Sequence, residues 1–251
     1  MTVTPSSGRS DVPAWLESGT DEAAAAILRS CRCADVLLAA SESLTGGLVS
    51  DAFVRIPGAS DVFLGSAVTY DVAAKASVLG VDEGLLSAEG AVRPVVARQM
   101  ALGAALLFGR PHPGVPVIGL STTGVAGPGP DGRGNPQGLA YAGVFLPDRG
   151  GNGVVLAHDP LAALRDVERG LSADAGVRAS LVGSDVVPAI GKGMGSAEAV
   201  PSVAADDGMT PLRGRIDVLR LRSRGSREEI RRRTVFVLLR YVSHLTAPWG
   251  E

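Results

Sequence analysis

The sequence predicts an α/β fold, a three-layer sandwich in which helices flank a mostly parallel or mixed sheet. Short apolar runs of strand length alternate with helical stretches along most of the chain. Gly and Pro punctuate the changes of period. Of 251 residues, 45% are hydrophobic but only 4% aromatic, so the chain can bury a core made mainly of Val, Leu, Ala and Ile.

The N-terminus is polar and carries Pro5 and Pro13, and residues 1–18 read as a disordered leader. Residues 21–32 read as a helix, with acidic residues opening it and arginines closing it, as the helix dipole prefers. Val36–Ala40 is a strand. Leu44–Val54 is a helix reached through a glycine turn and stopped by Pro57-Gly58. A second strand covers Val62–Tyr70, and a short helix from Asp71 to Leu79 ends at Gly80. Pro94 suits a first helical turn, and the helix runs on to Phe108, with Gly109 as its stop. Val115–Ser121 is a strand, 122–138 a loop dense in Gly and Pro, and Leu139–Leu146 a strand.

From 148 to 214 the chain turns rich in Gly, Ala, Ser and Asp. Apart from a possible helix at Leu161–Leu171, this segment reads as a flexible low-complexity insertion between two strands of one sheet. Ile216–Leu221 restores the strand pattern. Ser226 with Glu229 forms a capping box, and Ile230, Val237, Tyr241 and Leu245 share one face of the helix that follows. One α/β domain therefore spans 19–147 and 215–248.

The net charge of −2 gives no electrostatic reason to expect nucleic acid or an anionic membrane as partner. Neither a signal peptide nor an apolar run long enough to span a membrane is present. Cys31 and Cys33 form neither a disulfide framework nor a zinc set, and His112, His158 and His244 lack metal-ligand spacing. A cytoplasmic protein with reduced thiols and no metal or other cofactor is the expectation.

The chain has only two lysines, Lys75 and Lys192; its other cations are arginines. A lysine kept within Thr69-Tyr70-Asp71-Val72-Ala73-Ala74-Lys75 suggests a task that guanidinium cannot perform, the surrender of a proton. Upstream, Ser41-Glu42-Ser43-Leu44-Thr45-Gly46-Gly47 places a hydroxyl between a strand end and a helix start. Free amides there could hold an oxyanion, with Thr45 and Gly46 as donors. In an α/β fold, Ser43, Tyr70 and Lys75 would share the crevice at the strands' carboxyl ends. The plain alternative is an N-cap serine, a strand-end tyrosine and a solvated helix lysine. Thr123, Gly124, Ala126 and Gly127 follow a further strand, where hydroxyls and amides suit a phosphate, carboxylate or ribose. The alternative there is a turn-rich loop. Tyr70-x4-Lys75 does not fit the Tyr-x3-Lys spacing of short-chain dehydrogenases, and no early G-x-x-x-G-x-G turn is present.

Taken in order, Ala40–Leu48, Ile56-Pro57-Gly58-Ala59-Ser60, Val68-Thr69-Tyr70 with Lys75, Leu79-Gly80-Val81, Glu89-Gly90-Ala91-Val92 and Thr123–Pro128 resemble the C-terminal domain of the CinA family. Gly225-Ser226-Arg227 with Ile230-Arg231 resembles the family's last strand-to-helix junction. The resemblance implies an amidohydrolase that converts nicotinamide mononucleotide to nicotinate mononucleotide and ammonia. It places the serine nucleophile on Ser43, the lysine on Lys75 and a nearby tyrosine on Tyr70, with 123–128 helping to hold the nucleotide. The implied partner is this small-molecule nucleotide, and a homo-oligomer is expected. Departures from the family pattern are Leu44 where cysteine is common, Asp71-Val72-Ala73 for Ser-Asn-Glu, Leu64 and Arg93, and Asn135-Pro136-Gln137-Gly138 for Lys-Pro-Val-Gly. They leave a second reading open, a catalytically inactive CinA-like protein that binds a nucleotide or a partner.

Overall fold

The computed structural model describes residues 12–148, 159–171, 176–187 and 213–250. Helix α1 (Ala14–Cys33) begins earlier than the sequence suggests. Leu16, Thr20, Ala23, Ala24, Ile27 and Leu28 continue one buried stripe, and Trp15 meets Phe236 edge-on. Residues 14–18 are therefore the first turn of a helix and not a leader, and Leu16 anchors them in the core. Residues 1–11 of the expected leader lie outside the described residues.

Strand β1 (Leu37–Glu42) leads to α2 (Leu48–Val54), and β2 (Phe63–Val68) to α3 (Val72–Leu79). Asp71 caps α3 by accepting from the amides of Ala73 and Ala74, and Gly80, at φ 69°, closes it. Helix α4 (Glu83–Glu89) has no counterpart in the sequence reading. α5 (Pro94–Gly109) carries its proline in the first turn. β3 (Val117–Gly124) and β4 (Leu139–Pro147) follow, then α6 (Pro160–Gly170), β5 (Val177–Val187), β6 (Gly214–Ser223) and α7 (Arg227–Thr246). The capping box predicted at Ser226 and Glu229 is formed.

Among the described residues six strands lie in the order β2-β1-β3-β4-β6-β5. β2, β1 and β3 are parallel, whereas β3–β4, β4–β6 and β6–β5 are antiparallel, so the sheet is mixed. On one face α1, α2, α6 and α7 bury residues against Ile118, Leu120, Val144, Leu219 and Leu221. On the other, α5 packs on Ala39, Val117, Phe145 and Ile216, with α3 and α4 beyond it. α5 approaches by its backbone. A Cβ on Gly119 would fall 2.0 Å from Ala101 O, and one on Gly143 2.5 Å from Ala97 O. This is the α/β sandwich that the sequence predicts.

The 148–214 segment is corrected where it is described. Far from a flexible insertion, β5 pairs with β6 from Val177↔Ser223 to Val187↔Gly214, and α6 buries Ala163, Leu164 and Val167. The buried residues of β5, Val177, Ala179 and Val187, are too few among exposed positions to show a strand period. The remainder of 148–214 lies outside the described residues. The 122–138 loop is also shorter than expected, because β3 continues through Gly124.

The carboxyl ends of β1, β2 and β3 point the same way. The antiparallel course of the next two strands brings the start of β4 and the end of β6 to that edge. The residues after β1, β2, β3 and β6 and those before β4 therefore gather at one edge of the sheet, where open α/β folds form their ligand crevice.

Candidate active site

The turn after β1 is built on Glu42, whose side chain is fully buried. Its Oε2 accepts from Thr45 Oγ1 (2.7 Å), Gly47 N (2.9 Å) and Val49 N (3.0 Å). Its Oε1 accepts from Ser50 N and Ser66 Oγ, both at 3.0 Å. A carboxylate at the start of α2 thus takes up the amides that a helix N-terminus leaves unpaired. Thr122 Oγ1 lies 2.7 Å from Thr45 Oγ1 and Thr122 O accepts from Ser43 N at 2.9 Å, tying the turn to β3. Gly46 and Gly47, at φ 57° and 100°, permit the chain to wrap round the carboxylate.

Above this turn, Lys75 Nζ lies 3.1 Å from Ser43 Oγ, and only 1% of Lys75 is exposed. The Nζ also donates to Thr69 O and, at 3.3 Å, to Tyr70 O. Desolvation lowers the Lys75 pKa to about 8, against the smaller upward pull of the Asp71 carboxylate. A neutral amine has two protons and one lone pair. With the protons directed at the two carbonyls, the lone pair is left for Ser43. The arrangement is a hydroxyl and a base within hydrogen-bond reach, the base held by third groups.

Tyr70, which the resemblance sets beside the lysine, touches Lys75 through its main-chain carbonyl; the residue is 63% exposed and its hydroxyl has another partner. The Tyr70 hydroxyl instead accepts from Arg227 Nη2 at 3.1 Å, and Arg227 Nη1 donates to Gly127 O. Arg227, in the first turn of α7, so links the Tyr70 ring to the glycine loop across the crevice.

The anticipated oxyanion donors divide. The Gly46 amide is directed to Ser43 O at 3.2 Å, a consequence of the tight turn, and is not free for a substrate. Among the described residues no acceptor meets the amides of Leu44 or Thr45. In the expected binding loop, the Thr123 hydroxyl is already given to Ala91 O at 2.8 Å. Gly124 backs onto Ala140, and Ala126 is buried. Gly127 stands at φ 87° with Gln137 against it, and Gln137 spans the loop from Gly129 N to Gly225 O.

Glu42, Arg227 and Arg231 stand inside motifs quoted from the sequence, and Thr122 beside one, but none is given a role there. Glu42 carried a usable signal, a carboxylate immediately before a helix N-terminus. Arg227 and Arg231 carried only the junction motif, which does not say what each guanidinium holds.

The CinA C-terminal domain profile matches residues 20–158. The chain belongs to the CinA family. A CinA-like protein of Frankia casuarinae is 47% identical over 111 residues, which cover 44% of this chain and 24% of that protein. A putative competence-damage inducible protein of Moorella thermoacetica is 46% identical over 107 residues, or 43% of this chain and 24% of its own length. The chain thus spans about a quarter of these curated CinA relatives. The crystal structure of a CinA superfamily protein from Klebsiella pneumoniae superposes with a TM-score of 0.60 at 18% identity. It covers 92% of this chain and 99% of its own, a likeness of fold.

Proposed function

We propose that this CinA-family chain is an amidohydrolase that deamidates nicotinamide mononucleotide to nicotinate mononucleotide and ammonia. The observation that carries the chemistry is the 3.1 Å approach of the buried Lys75 amine to Ser43 Oγ. The choice of nucleotide rests on the family resemblance.

Neutral Lys75 removes the Ser43 proton as Oγ attacks the carboxamide carbon. The oxyanion forms against the unpaired amides of Leu44 and Thr45. The Lys75 ammonium returns the proton to the nitrogen, the C–N bond breaks and ammonia leaves an acyl-serine. Lys75, neutral again, then takes a proton from water, whose oxygen attacks the ester. The acid is released as Lys75 hands its proton back to Ser43. Tyr70, Arg227 and the 124–127 backbone border the crevice on the side where the nucleotide would lie. Arg227, held between Tyr70 and Gly127, offers a cation for its phosphate.

The purified chain, given nicotinamide mononucleotide, should release ammonia and yield the product of exchanging an amide nitrogen for oxygen, followed by mass spectrometry. Ser43→Ala should abolish turnover while keeping the melting temperature. Absence of product from the wild-type chain would favour the non-catalytic CinA-like reading. Near-normal turnover by Ser43→Ala would remove Ser43 as nucleophile.

A further inference from the structure

Arg231 stands on α7, one turn beyond Arg227, and points into the turn that carries Ser43. Its Nε donates to Leu44 O at 3.0 Å and its Nη2 to Thr45 O at 2.7 Å. Its Nη1 is held by Glu228 Oε2 at 2.7 Å. One planar guanidinium therefore fixes two successive peptide planes of the nucleophile turn, and a carboxylate fixes the guanidinium.

A trans peptide sends its N–H in the direction opposite to its C=O. The plane that gives Leu44 O to Arg231 must aim the Thr45 amide away from α7. α7 lies on one face of the sheet and α3 beyond the other, and α3 is the side from which Lys75 reaches Ser43. The next plane, held through Thr45 O, directs the Gly46 amide to Ser43 O, which closes the turn beneath the nucleophile. Arg231 thus determines which amides remain open to a substrate oxygen and which are spent on the turn. Glu42 cannot do this, since its five bonds reach only the Thr45 and Ser66 side chains and the amides from Gly47 onward.

We infer that Arg231 is a positioning residue for amide hydrolysis, acting by clamping the Leu44 and Thr45 carbonyls so that the Thr45 amide faces the oxyanion. The inference rests on the Ser43–Lys75 reading and deepens it. A turn that is only folded needs no such clamp, as Glu42 and Thr122 already anchor it from below. A turn whose amides must hold one direction while charge develops does need it, because preorganisation is what lets a hydrogen-bond donor lower a barrier.

The test compares wild type with Arg231→Lys and Arg231→Met. Three quantities are read: kcat and KM on nicotinamide mononucleotide, Ser43 phosphonylation by a fluorophosphonate, and the 15N–1H shift of the Thr45 amide. An ammonium can satisfy one carbonyl at a time where the guanidinium fork satisfies both, so Arg231→Lys should keep its melting temperature yet lose kcat. Loss of an oxyanion donor lowers kcat by about a hundredfold or more, and both variants should approach that with KM little changed. The kcat–pH profile should keep the apparent pKa set by Lys75, phosphonylation should slow in parallel, and the Thr45 amide should shift. Arg231→Lys with undiminished kcat and phosphonylation overturns the inference, as does a loss confined to KM. If Arg231→Met fails to fold, the lysine variant alone decides. A wild type inert to both nucleotide and fluorophosphonate overturns the amidohydrolase reading and this one with it. A reactive wild type with an equally reactive Arg231→Lys overturns this one alone.

Discussion

Lys75 is held where its charge is unwelcome, and that is what makes it useful. Burial lowers its pKa to about 8, so at pH 7 about a tenth of the folded molecules carry it neutral, a usable fraction for a general base. The rate should rise with pH through about 8 and level off above it, measured as kcat over pH 6–10. Lys75→Arg should be nearly as inactive as Lys75→Met, since guanidinium keeps the charge but does not release a proton. A Lys75→Arg protein that retained most of its kcat would make Lys75 a binding residue. The same shift has a consequence for stability. The folded pKa lies below the unfolded one, so between about 8 and 10.5 the unfolded chain binds more protons and stability rises with pH. Below that window both states are protonated, and the folded one carries the desolvation penalty. Over the whole window wild type should gain on the order of 3 kcal/mol relative to Lys75→Met, read from urea midpoints of the two proteins at each pH. A difference that stays flat across the window would place the Lys75 pKa near its ordinary value.

Among the elements, those with strong local chemistry were legible in the sequence. The strand before Ser43, the Asp71-to-Gly80 helix and the Ser226 capping box each announce themselves through a cap, a stop or an apolar run, and each is formed. α4 was not legible because Leu85 and Leu86 are its only large apolar residues, too few to show a period. The pairing of Ser43 with Lys75 was legible as a hypothesis, because each follows the carboxyl end of a parallel strand. Which amides of the Ser43 turn are left open was not, since the carbonyls of that turn are held by Arg231, which lies far along the chain on α7. Glu42 itself is an element-scale device. Both its oxygens accept from donors only, so a glutamine would turn an amide N–H toward backbone N–H groups that have no other acceptor. Glu42→Gln should cost about 2–4 kcal/mol in chemical denaturation and lower kcat as well, through a loosened turn. Unchanged stability would mean that α2 does not depend on this carboxylate for its N-terminus.

At the scale of the whole molecule, the low-complexity text between β4 and β6 contains two elements of the fold. α6 and β5 complete the sheet and its helical cover. β5 pairs with the full length of β6, α6 packs against α7, and Ser184 of β5 donates to the buried Asp217 at 2.7 Å. Asp217 also receives Tyr241 Oη at 3.0 Å and faces Arg215 at 3.1 Å, and these contacts oppose the upward push of burial on its pKa. Removing 152–212 would strip β6 of a neighbour, expose a ten-residue strand edge and leave Asp217 short of one donor. Such a protein should be markedly less stable than the full chain, or aggregate. A smaller deletion should behave otherwise. Val187 and Gly214 are cross-strand partners in an antiparallel pair, so the residues that flank 188–213 already stand side by side. Antiparallel neighbours can be joined by a turn of about two to five residues. Replacing 189–212 with Asn-Gly in a short turn should keep the sheet, the melting temperature and the Ser43–Lys75 chemistry, which lies after the parallel strands on the other side of β4. The pair of deletions is read by circular dichroism melting and by ammonia release. Equal behaviour of the two, whether both stable or both lost, would show that α6 and β5 contribute to the fold no differently from the connection between β5 and β6.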